Sequence, residues 1–273
     1  PRVGAQQGLR ALPLGVGPAY GRCMSDLRTR PHTGFVADTV PFSNLDGPGN
    51  RFVVFLQGCN FDCVACHNPQ TIPGHGGVEG FHPKHIVVDD LVAEIRRAVP
   101  FITGITVSGG EATLQESFVW QVFEAVKADP ELRDLTCFVD TNGSCGLRVW
   151  DRLAPLTDGV MIDLKSLDPV SHEQMTGVGN APVLASIRHL HELGLLYEVR
   201  LLLVAGLNDS PDLVRRTGAW LADLDPTMRI KVIGFRSHGV RPHDPPLVEP
   251  TPEALAASAD ILLSVAPFDV RII

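Results

Sequence analysis

Three cysteines of this chain lie within eight positions, at Cys59, Cys63 and Cys66, in the stretch GCNFDCVACHNP. The whole chain has six cysteines, so half of them share one short segment with the spacing C-x3-C-x2-C. Thiolates grouped in this way bind zinc or an iron–sulfur cluster. Three of them are one ligand short of a closed zinc site and of a fully ligated [4Fe–4S] cluster, so the fourth ligand decides the chemistry.

A zinc site and an iron–sulfur cluster differ in where that fourth ligand would come from. For zinc, the adjacent His67 is the available protein ligand. Cys66 and His67 are neighbours in the chain, which is awkward for one tetrahedral metal, and structural zinc sites usually take ligand pairs from two separate segments. An iron–sulfur cluster with one open iron suits three thiolates better. The spacing therefore favours a [4Fe–4S] cluster whose fourth ligand comes from a bound molecule.

Composition limits the kind of protein that carries this loop. The chain has 273 residues, of which 44% are hydrophobic and 20% charged, enough for a large buried core. Its formal net charge of −8 argues against nucleic-acid and membrane-surface partners, and its apolar runs are too short to cross a bilayer. The scattered Cys23, Cys137 and Cys145 do not form a disulfide pattern, so we expect a reduced, cytoplasmic protein in which Cys137 and Cys145 are structural thiols.

Short apolar runs alternate with amphipathic helical patterns from about Phe35 onward. The predicted strands are rich in Val, Ile and Phe, as parallel strands buried on both faces require; they cover 51–57, 102–109, 135–141, 159–165, 197–204 and 229–235. Helical patterns occupy 88–99, 115–128, 183–193, 210–224 and 251–265. Such alternation predicts an α/β domain with a parallel sheet, either closed like a barrel or open and doubly wound. This domain covers 33–273, and the Gly-, Pro- and Arg-rich residues 1–32 are predicted to be a flexible extension.

Polar segments follow five of the six predicted strands, namely QGC, SGGEAT, DTNG, DLK and RSHG. The carboxyl ends of parallel strands meet at one edge of an α/β sheet, where active sites are found. Each segment alone could be ordinary loop chemistry. Their repetition at corresponding strand ends predicts one functional site that includes the cysteine loop.

The order of these motifs resembles that of the radical S-adenosylmethionine (SAM) superfamily, which places C-x3-C-x2-C after the first barrel strand and a GGE-type turn after the second. The longer segments DGPGNRFVVFLQGCNFDCVACHNPQTI, ITVSGGEATLQESFV, FVDTNG, VMIDLK and HEQMTGVGN resemble the glycyl-radical-enzyme activases of that superfamily. This resemblance runs from about Phe35 to Asp209. The later FRSHGVR is similar to the YjjW-type members of the group.

The resemblance implies a partial (β/α)6 barrel of parallel strands with one [4Fe–4S] cluster. In this superfamily the amino and carboxylate groups of SAM bind the open iron, and an electron from the cluster cleaves SAM to a 5′-deoxyadenosyl radical. For an activase, that radical takes a hydrogen from a backbone glycine of a glycyl radical enzyme. The implied partners are such an enzyme and a reducing electron donor such as flavodoxin or ferredoxin.

The resemblance also implies which residues surround SAM. The cluster ligands are the three cysteines, and the residues expected to bind SAM are His67, Ser108, Gly109, Gly110, Glu111, Asp140, Thr141, Asp163, Lys165, Arg200 and His238. A monovalent cation, Na⁺ or K⁺, would be held by Asp140, Thr141, Asp163 and the backbone carbonyl of Met161. Structural alternatives stay open: a tight turn for SGGE, a salt bridge for Asp163 with Lys165 or within the fold for Arg200, and loop packing for His67.

Three departures from the family pattern bear on these expectations. Ala65 stands before the third cysteine, where many members carry an aromatic residue beside the adenine. Gly234, Phe235 and Arg236 replace a proline–tyrosine–histidine stretch, which affects the expected adenosine contacts. Residues 70–100 contain no cysteine, which predicts a single cluster.

Two other functions compete with the activase. The same radical SAM core could act on a small metabolite or a peptide, because the SAM-binding motifs do not depend on what is oxidised. A non-enzymatic iron–sulfur electron carrier is the third hypothesis, and the open iron argues against it.

Overall fold

The computed structural model describes residues 33–74 and 78–273. The extension predicted over 1–32 lies outside the described residues. Within them, none of the helices combines the length and the apolar character that a membrane span requires.

The described residues form one mixed sheet of nine strands in the order β3-β1-β2-β4-β5-β6-β7-β8-β9. The strands are β1 Thr33–Ser43, β2 Arg51–Leu56, β3 Lys84–Val87, β4 Gly104–Gly109, β5 Thr136–Thr141, β6 Gly159–Asp163, β7 Leu196–Leu203, β8 Arg229–Gly234 and β9 Asp269–Ile272. β1 pairs antiparallel with β2 and β3, and every neighbouring pair from β2 to β9 is parallel. The six predicted strands are thus β2 and β4–β8, the parallel part of a barrel-like sheet that stays open between β3 and β9.

Seven α-helices connect the strands in the described residues: α1 Val88–Ala98, α2 Glu116–Ala128, α3 Leu147–Leu153, α4 Pro169–Thr176, α5 Ala181–Glu192, α6 Pro211–Ala222 and α7 Pro252–Val265. The α6 and α7 helices begin as the sequence predicts. The side chains of Ser210 and Thr251 each accept a hydrogen bond from the backbone N–H three residues later, at Leu213 and Ala254. A proline follows each cap at the first helical position, where its missing N–H costs no helical hydrogen bond.

Both faces of the central strands are covered. In β2, β4, β5 and β6 nearly every residue is buried, which is what the near-continuous apolar runs predicted. Helices α1, α2, α3 and α5 contribute apolar side chains to the same core, among them Leu91, Phe123, Trp150 and Ile187. The predicted α/β partial (β/α)6 barrel is therefore confirmed. The ends of its strands determine the positions of the polar segments that follow them.

Candidate functional site

The cysteine loop begins where β2 ends. Cys59, Cys63 and Cys66 are free, half-buried thiols that line one cavity of about 290 Å³. No other cysteine among the described residues lines this cavity. Three sulfur donors beside an open space fit a cluster that has three protein ligands and one open position.

Backbone hydrogen bonds hold this loop on two sides. On one side, Cys59 N donates to the Ile72 carbonyl at 3.0 Å. On the other, Asp62 N donates to Thr176 O at 3.0 Å and Val64 N to Met175 O at 2.9 Å, at the end of α4. The HEQMTG segment of the sequence thus supports the cysteine loop.

The segment after β8 also contacts the cysteine loop. His67 Nε2 lies 2.8 Å from the Arg236 carbonyl, to which it donates, and Arg241 Nη2 donates to Cys63 O at 3.1 Å. Ala65 packs in a small apolar cluster with Phe235, the residue directly after β8, so an aromatic side chain lies beside the position where the family pattern places an aromatic residue. His67 therefore lines the cavity while its ring nitrogen is bonded within the protein.

The ends of β4, β5 and β6 form the opposite wall of the cavity. The sequence-predicted residues that line it are Ser108, Gly109, Gly110, Asp140, Thr141, Asp163 and Lys165. Ser108 Oγ donates to Asp140 Oδ2 at 2.9 Å, which links the β4 and β5 ends. Of the residues expected at the site, Glu111, Met161, Arg200 and His238 do not line this cavity in the described part of the chain.

Gly110 lets β4 approach the cysteine loop. A Cβ atom at this position would lie 2.3 Å from the carbonyl oxygen of Gly58 and 2.8 Å from that of Thr71. Both oxygens belong to the backbone and cannot rotate away. We expect Gly110→Ala to lower the free energy of unfolding by about 1–3 kcal/mol, because the loop must move away to relieve the clash. Chemical denaturation followed by circular dichroism measures this.

Gly179→Ala is the matched control for that substitution. Gly179 is exposed, and a Cβ atom there meets nothing within 4 Å. Equal stabilities of the two variants would contradict the close approach at Gly110.

Glu111 is buried, and its carboxylate bonds to its own turn and to the β5 end. Its Oε1 accepts hydrogen bonds from Thr113 N at 2.9 Å and from Thr141 Oγ1 at 2.7 Å, and its Oε2 accepts one from Asn142 N at 2.7 Å. Burial raises the pKa of this carboxyl, although these hydrogen bonds act in the opposite direction. The glutamate of SGGE therefore connects the β4 and β5 ends.

Asp163 and Lys165 form an ion pair at the cavity wall. Lys165 Nζ lies 2.8 Å from Asp163 Oδ2. Burial alone would lower the pKa of Lys165, but the charges of Asp163 and Cys63 outweigh it and raise that pKa. A lasting positive charge therefore faces the cysteine loop, and the same two residues form both the salt bridge and the cavity wall.

Arg200 lies behind the wall, within a buried charge network. It donates to Asp140 Oδ1 and to Glu198 Oε1, each at 2.9 Å, and its Nη2 lies 2.9 Å from the Met161 sulfur. Lys231 Nζ completes the network 2.9 Å from Glu198 Oε1. Of the two interpretations of Arg200 from sequence, the structure places it in the internal salt bridge, next to a residue that lines the cavity.

His238 is exposed in the segment after β8, and Met161 is fully buried in β6. Within the part of the chain that the structure describes, no three or more His, Cys, Asp or Glu side chains are grouped closely enough to bind one single metal ion; the three cysteines instead border a shared cavity.

Burial also affects the pKa values of the cysteines. It raises the pKa of Cys59 to about 12, and it raises that of Cys63 against the opposing charge of Lys165. Thiols must lose their protons to bind metal, so cluster assembly at this loop releases protons. The predicted structural thiols Cys137 and Cys145 are free, and burial raises the pKa of each to about 12.

Asp46 and Asn142 are among the polar cavity residues that the sequence analysis missed. Asn142 directly follows Thr141 at the end of β5. The expectation that polar residues at the carboxyl ends of parallel strands form the site therefore also covers Asn142. Asp46 precedes β2 and reaches the cavity through a loop held by Thr106 Oγ1, which donates to Asp46 O at 2.7 Å, and by Arg51 Nη1, which donates to Pro48 O at 3.3 Å. The position of a strand end could not have indicated it.

His172 in α4 makes the support of the cysteine loop sensitive to pH. It is fully buried, and its Nδ1 lies 2.9 Å from the Val178 carbonyl, which can only accept a hydrogen bond. Burial lowers the pKa of His172. Below about pH 6.5 the unfolded chain binds a proton at this residue that the folded chain does not. We therefore expect the free energy of unfolding to decrease, as the pH is lowered, by up to about 1.4 kcal/mol per pH unit from this group.

Urea titrations at pH 7.5 and pH 5.5 test this expectation. His172→Asn keeps a donor near Val178 and removes the titrating ring, so this variant is expected to lose less stability than the wild type over the interval. An equal loss in both proteins would show that His172 does not cause it.

Comparisons with known proteins agree with this geometry. The profile of the radical SAM superfamily matches residues 53–216. A pyruvate formate-lyase-activating enzyme from Streptococcus mutans is 34% identical over 212 residues, which cover 76% of this chain and 79% of that protein. A putative glycyl-radical enzyme activating enzyme from Haemophilus influenzae is 31% identical over 223 residues, covering 74% of this chain and 82% of that protein.

A solved structure supports the fold. The crystal structure of a radical SAM methyltransferase from Sphaerobacter thermophilus aligns with a TM-score of 0.63 at 18% identity, over 91% of this chain and 80% of that one. At this identity the likeness concerns the barrel architecture alone.

Proposed function

This chain belongs to the radical SAM superfamily, and we propose that it activates a glycyl radical enzyme by removing one hydrogen atom from a backbone glycine of that partner. The observation that carries the proposal is the cavity where three free cysteines face the ends of β4, β5 and β6. The names of the relatives supply the substrate class.

Superfamily membership implies SAM and a [4Fe–4S] cluster as cofactors. When bound, the cluster supplies the electron that cleaves the SAM sulfonium, and the protein supplies binding and orientation. Cys59, Cys63 and Cys66 would hold the cluster, each thiol losing its proton as it binds.

The remaining residues would bind SAM in two ways. Ser108, Gly109 and Gly110 offer closely approaching backbone, and Lys165 offers a positive charge suited to a carboxylate. His67, Asp140, Thr141 and Asp163 line the same space. Glu111 and Arg200 do not line this space and would instead hold the end of β5 in place. A contact between SAM and the exposed His238 stays a prediction.

We further propose a monovalent cation at the β5 and β6 ends. Asp140, Thr141 and Asp163 line one wall and provide hard oxygen donors, with the Met161 carbonyl nearby in β6. SAM affinity measured in K⁺, Na⁺ and a bulky organic cation tests this: dependence on the small ions is expected in the wild type, and its absence would remove the cation.

The electron would come from flavodoxin or ferredoxin in the cytoplasm. The five free cysteines of the described residues fit a reducing compartment. Reduction of the reconstituted protein by photoreduced flavodoxin, followed by electron paramagnetic resonance (EPR), tests the donor.

The activase proposal is tested anaerobically with SAM, a reductant and pyruvate formate-lyase as the candidate partner. We expect a glycyl radical signal in the EPR spectrum and 5′-deoxyadenosine in comparable amount, both absent with Cys63→Ala. SAM cleavage without a glycyl radical, with pyruvate formate-lyase and other glycyl radical enzymes, would favour a small metabolite or peptide as substrate. A loaded cluster that neither binds nor cleaves SAM would favour the electron carrier.

A further inference from the structure

Cys59 accepts hydrogen bonds at its sulfur from two N–H donors. The backbone N–H of Phe61 lies 3.4 Å from Cys59 Sγ, and the side-chain amide nitrogen Nδ2 of Asn142 lies 3.9 Å from it. In the described residues, no such donor reaches the sulfur of Cys63 or Cys66. The three cysteines are therefore not equivalent: one donor comes from the cysteine loop itself and the other from the β5 end.

The Asn142 amide is held in one orientation. Its Oδ1 accepts a hydrogen bond from Ser144 N at 2.9 Å, so Nδ2 must face the other way, toward the cysteine loop. There Nδ2 also donates to Asn60 Oδ1 at 3.0 Å. An amide nitrogen carries two hydrogens, which allows one bond to Asn60 and one to the Cys59 sulfur.

The backbone of Asn142 is fixed as well. Its N–H donates to Glu111 Oε2 at 2.7 Å, and the residue is only 7% exposed. Asn60 is tied to the same turn, because its Nδ2 donates to Ser144 Oγ at 2.7 Å. These bonds hold the amide beside Cys59.

We propose that Asn142 is a positioning residue for the iron–sulfur cluster. Through an N–H···S hydrogen bond, Asn142 orients Cys59 and raises the reduction potential of the cluster. Reduction adds negative charge to the cluster and its sulfur ligands, and a fixed N–H dipole stabilises that charge. Without the donor, the reduced state is less stable and the potential is lower. The inference rests on cluster binding by the three cysteines and does not depend on the identity of the protein substrate.

The experiment is an EPR-monitored redox titration of the reconstituted protein without SAM or partner. Asn142→Ala deletes the amide, and Asn142→Leu replaces it with an uncharged side chain of the same branching that has no N–H donor. Asn50→Ala is the control, because it deletes a side-chain amide that donates to the Phe101 carbonyl and does not line the cavity. Iron and sulfide content and far-UV circular dichroism are measured for each protein.

We expect both Asn142 variants to have a more negative midpoint potential than the wild type, and Asn50→Ala to match the wild type. If Asn142→Ala does not fold, Asn142→Leu decides. An unchanged potential in a folded Asn142 variant with a full cluster would overturn the inference. Loss of the cluster from both variants would overturn it too, since one neutral hydrogen bond that tunes a potential is not needed to retain the cluster.

The outcome separates this inference from the proposed function. A shifted potential in a protein that activates no glycyl radical enzyme would support the role of Asn142 and reject the activase. An unchanged potential in a working activase would do the reverse.

Discussion

Cys63→Ala is expected to lose the iron–sulfur cluster and to lower SAM cleavage to the level of the cluster-free protein. Cys63 is the middle thiol of the three that line the cavity, and its removal leaves two protein ligands. Outer-shell partners of a metal typically contribute 10–100-fold to affinity or activity, so loss of a direct ligand is expected to exceed about 100-fold. Iron and sulfide analysis after anaerobic reconstitution measures the loss.

Cys145→Ala is the matched control. Cys145 is also a free, half-buried thiol, and it does not line the cavity. It should keep full iron and sulfide content. A cluster retained by Cys63→Ala, or lost equally from both variants, would contradict the assignment of the cysteine loop.

Arg200→Met is expected to lower the free energy of unfolding by about 3–5 kcal/mol, because it leaves a buried carboxylate without its partner. Arg200 is 7% exposed and bridges Asp140 and Glu198, each at 2.9 Å. Glu198 keeps Lys231, whereas Asp140 keeps, among the described residues, the Ser108 hydroxyl alone. Denaturant unfolding of the cluster-free protein measures the change.

The exposed pair of Arg216 with Asp212 provides the comparison. It has the same 2.9 Å separation, but its side chains are 53% and 77% exposed. Arg216→Met should cost no more than about 1 kcal/mol. Similar losses in the two variants would show that the network behind the cavity wall does not stabilise the fold.

The six parallel strands β2 and β4–β8 could be predicted because their buried apolar runs leave a direct trace in the sequence. The parallel edge strand β9, DVRI, is mostly exposed and was not predicted. The antiparallel β1, TGFVADTVPFS, mixes polar and apolar residues and is largely half-exposed, so no such run marks it. The α4 helix, PVSHEQMT, has little amphipathic periodicity. Its start is fixed by Asp168, which accepts a hydrogen bond from Ser171 N, and its end by contacts with the cysteine loop that only the fold creates.

The site was predictable where strand ends determine it. Ser108, Asp140 and Asp163 end or follow parallel strands and line one cavity. The direction of a side chain was not predictable. Arg200 pairs in register with Asp163 across the strands, yet its guanidinium reaches Asp140 one strand further on.

Glu111 shows the same limit from another cause. Its motif suggests a carboxylate for a ligand's ammonium, whereas Thr113 N in its own turn and two donors at the β5 end, Thr141 Oγ1 and Asn142 N, satisfy it in the fold. The two donors at the β5 end come from a distant segment, so neither spacing nor composition reveals them.

Product analysis tests most directly whether the three cysteines form the site of radical SAM chemistry. The reconstituted protein is reduced with dithionite and supplied with SAM under anaerobic conditions, and 5′-deoxyadenosine and methionine are followed by chromatography. We expect both products in equal amounts from the wild type and neither from Cys63→Ala. A fully loaded wild-type cluster that yields neither product, even with candidate partners present, would contradict this expectation.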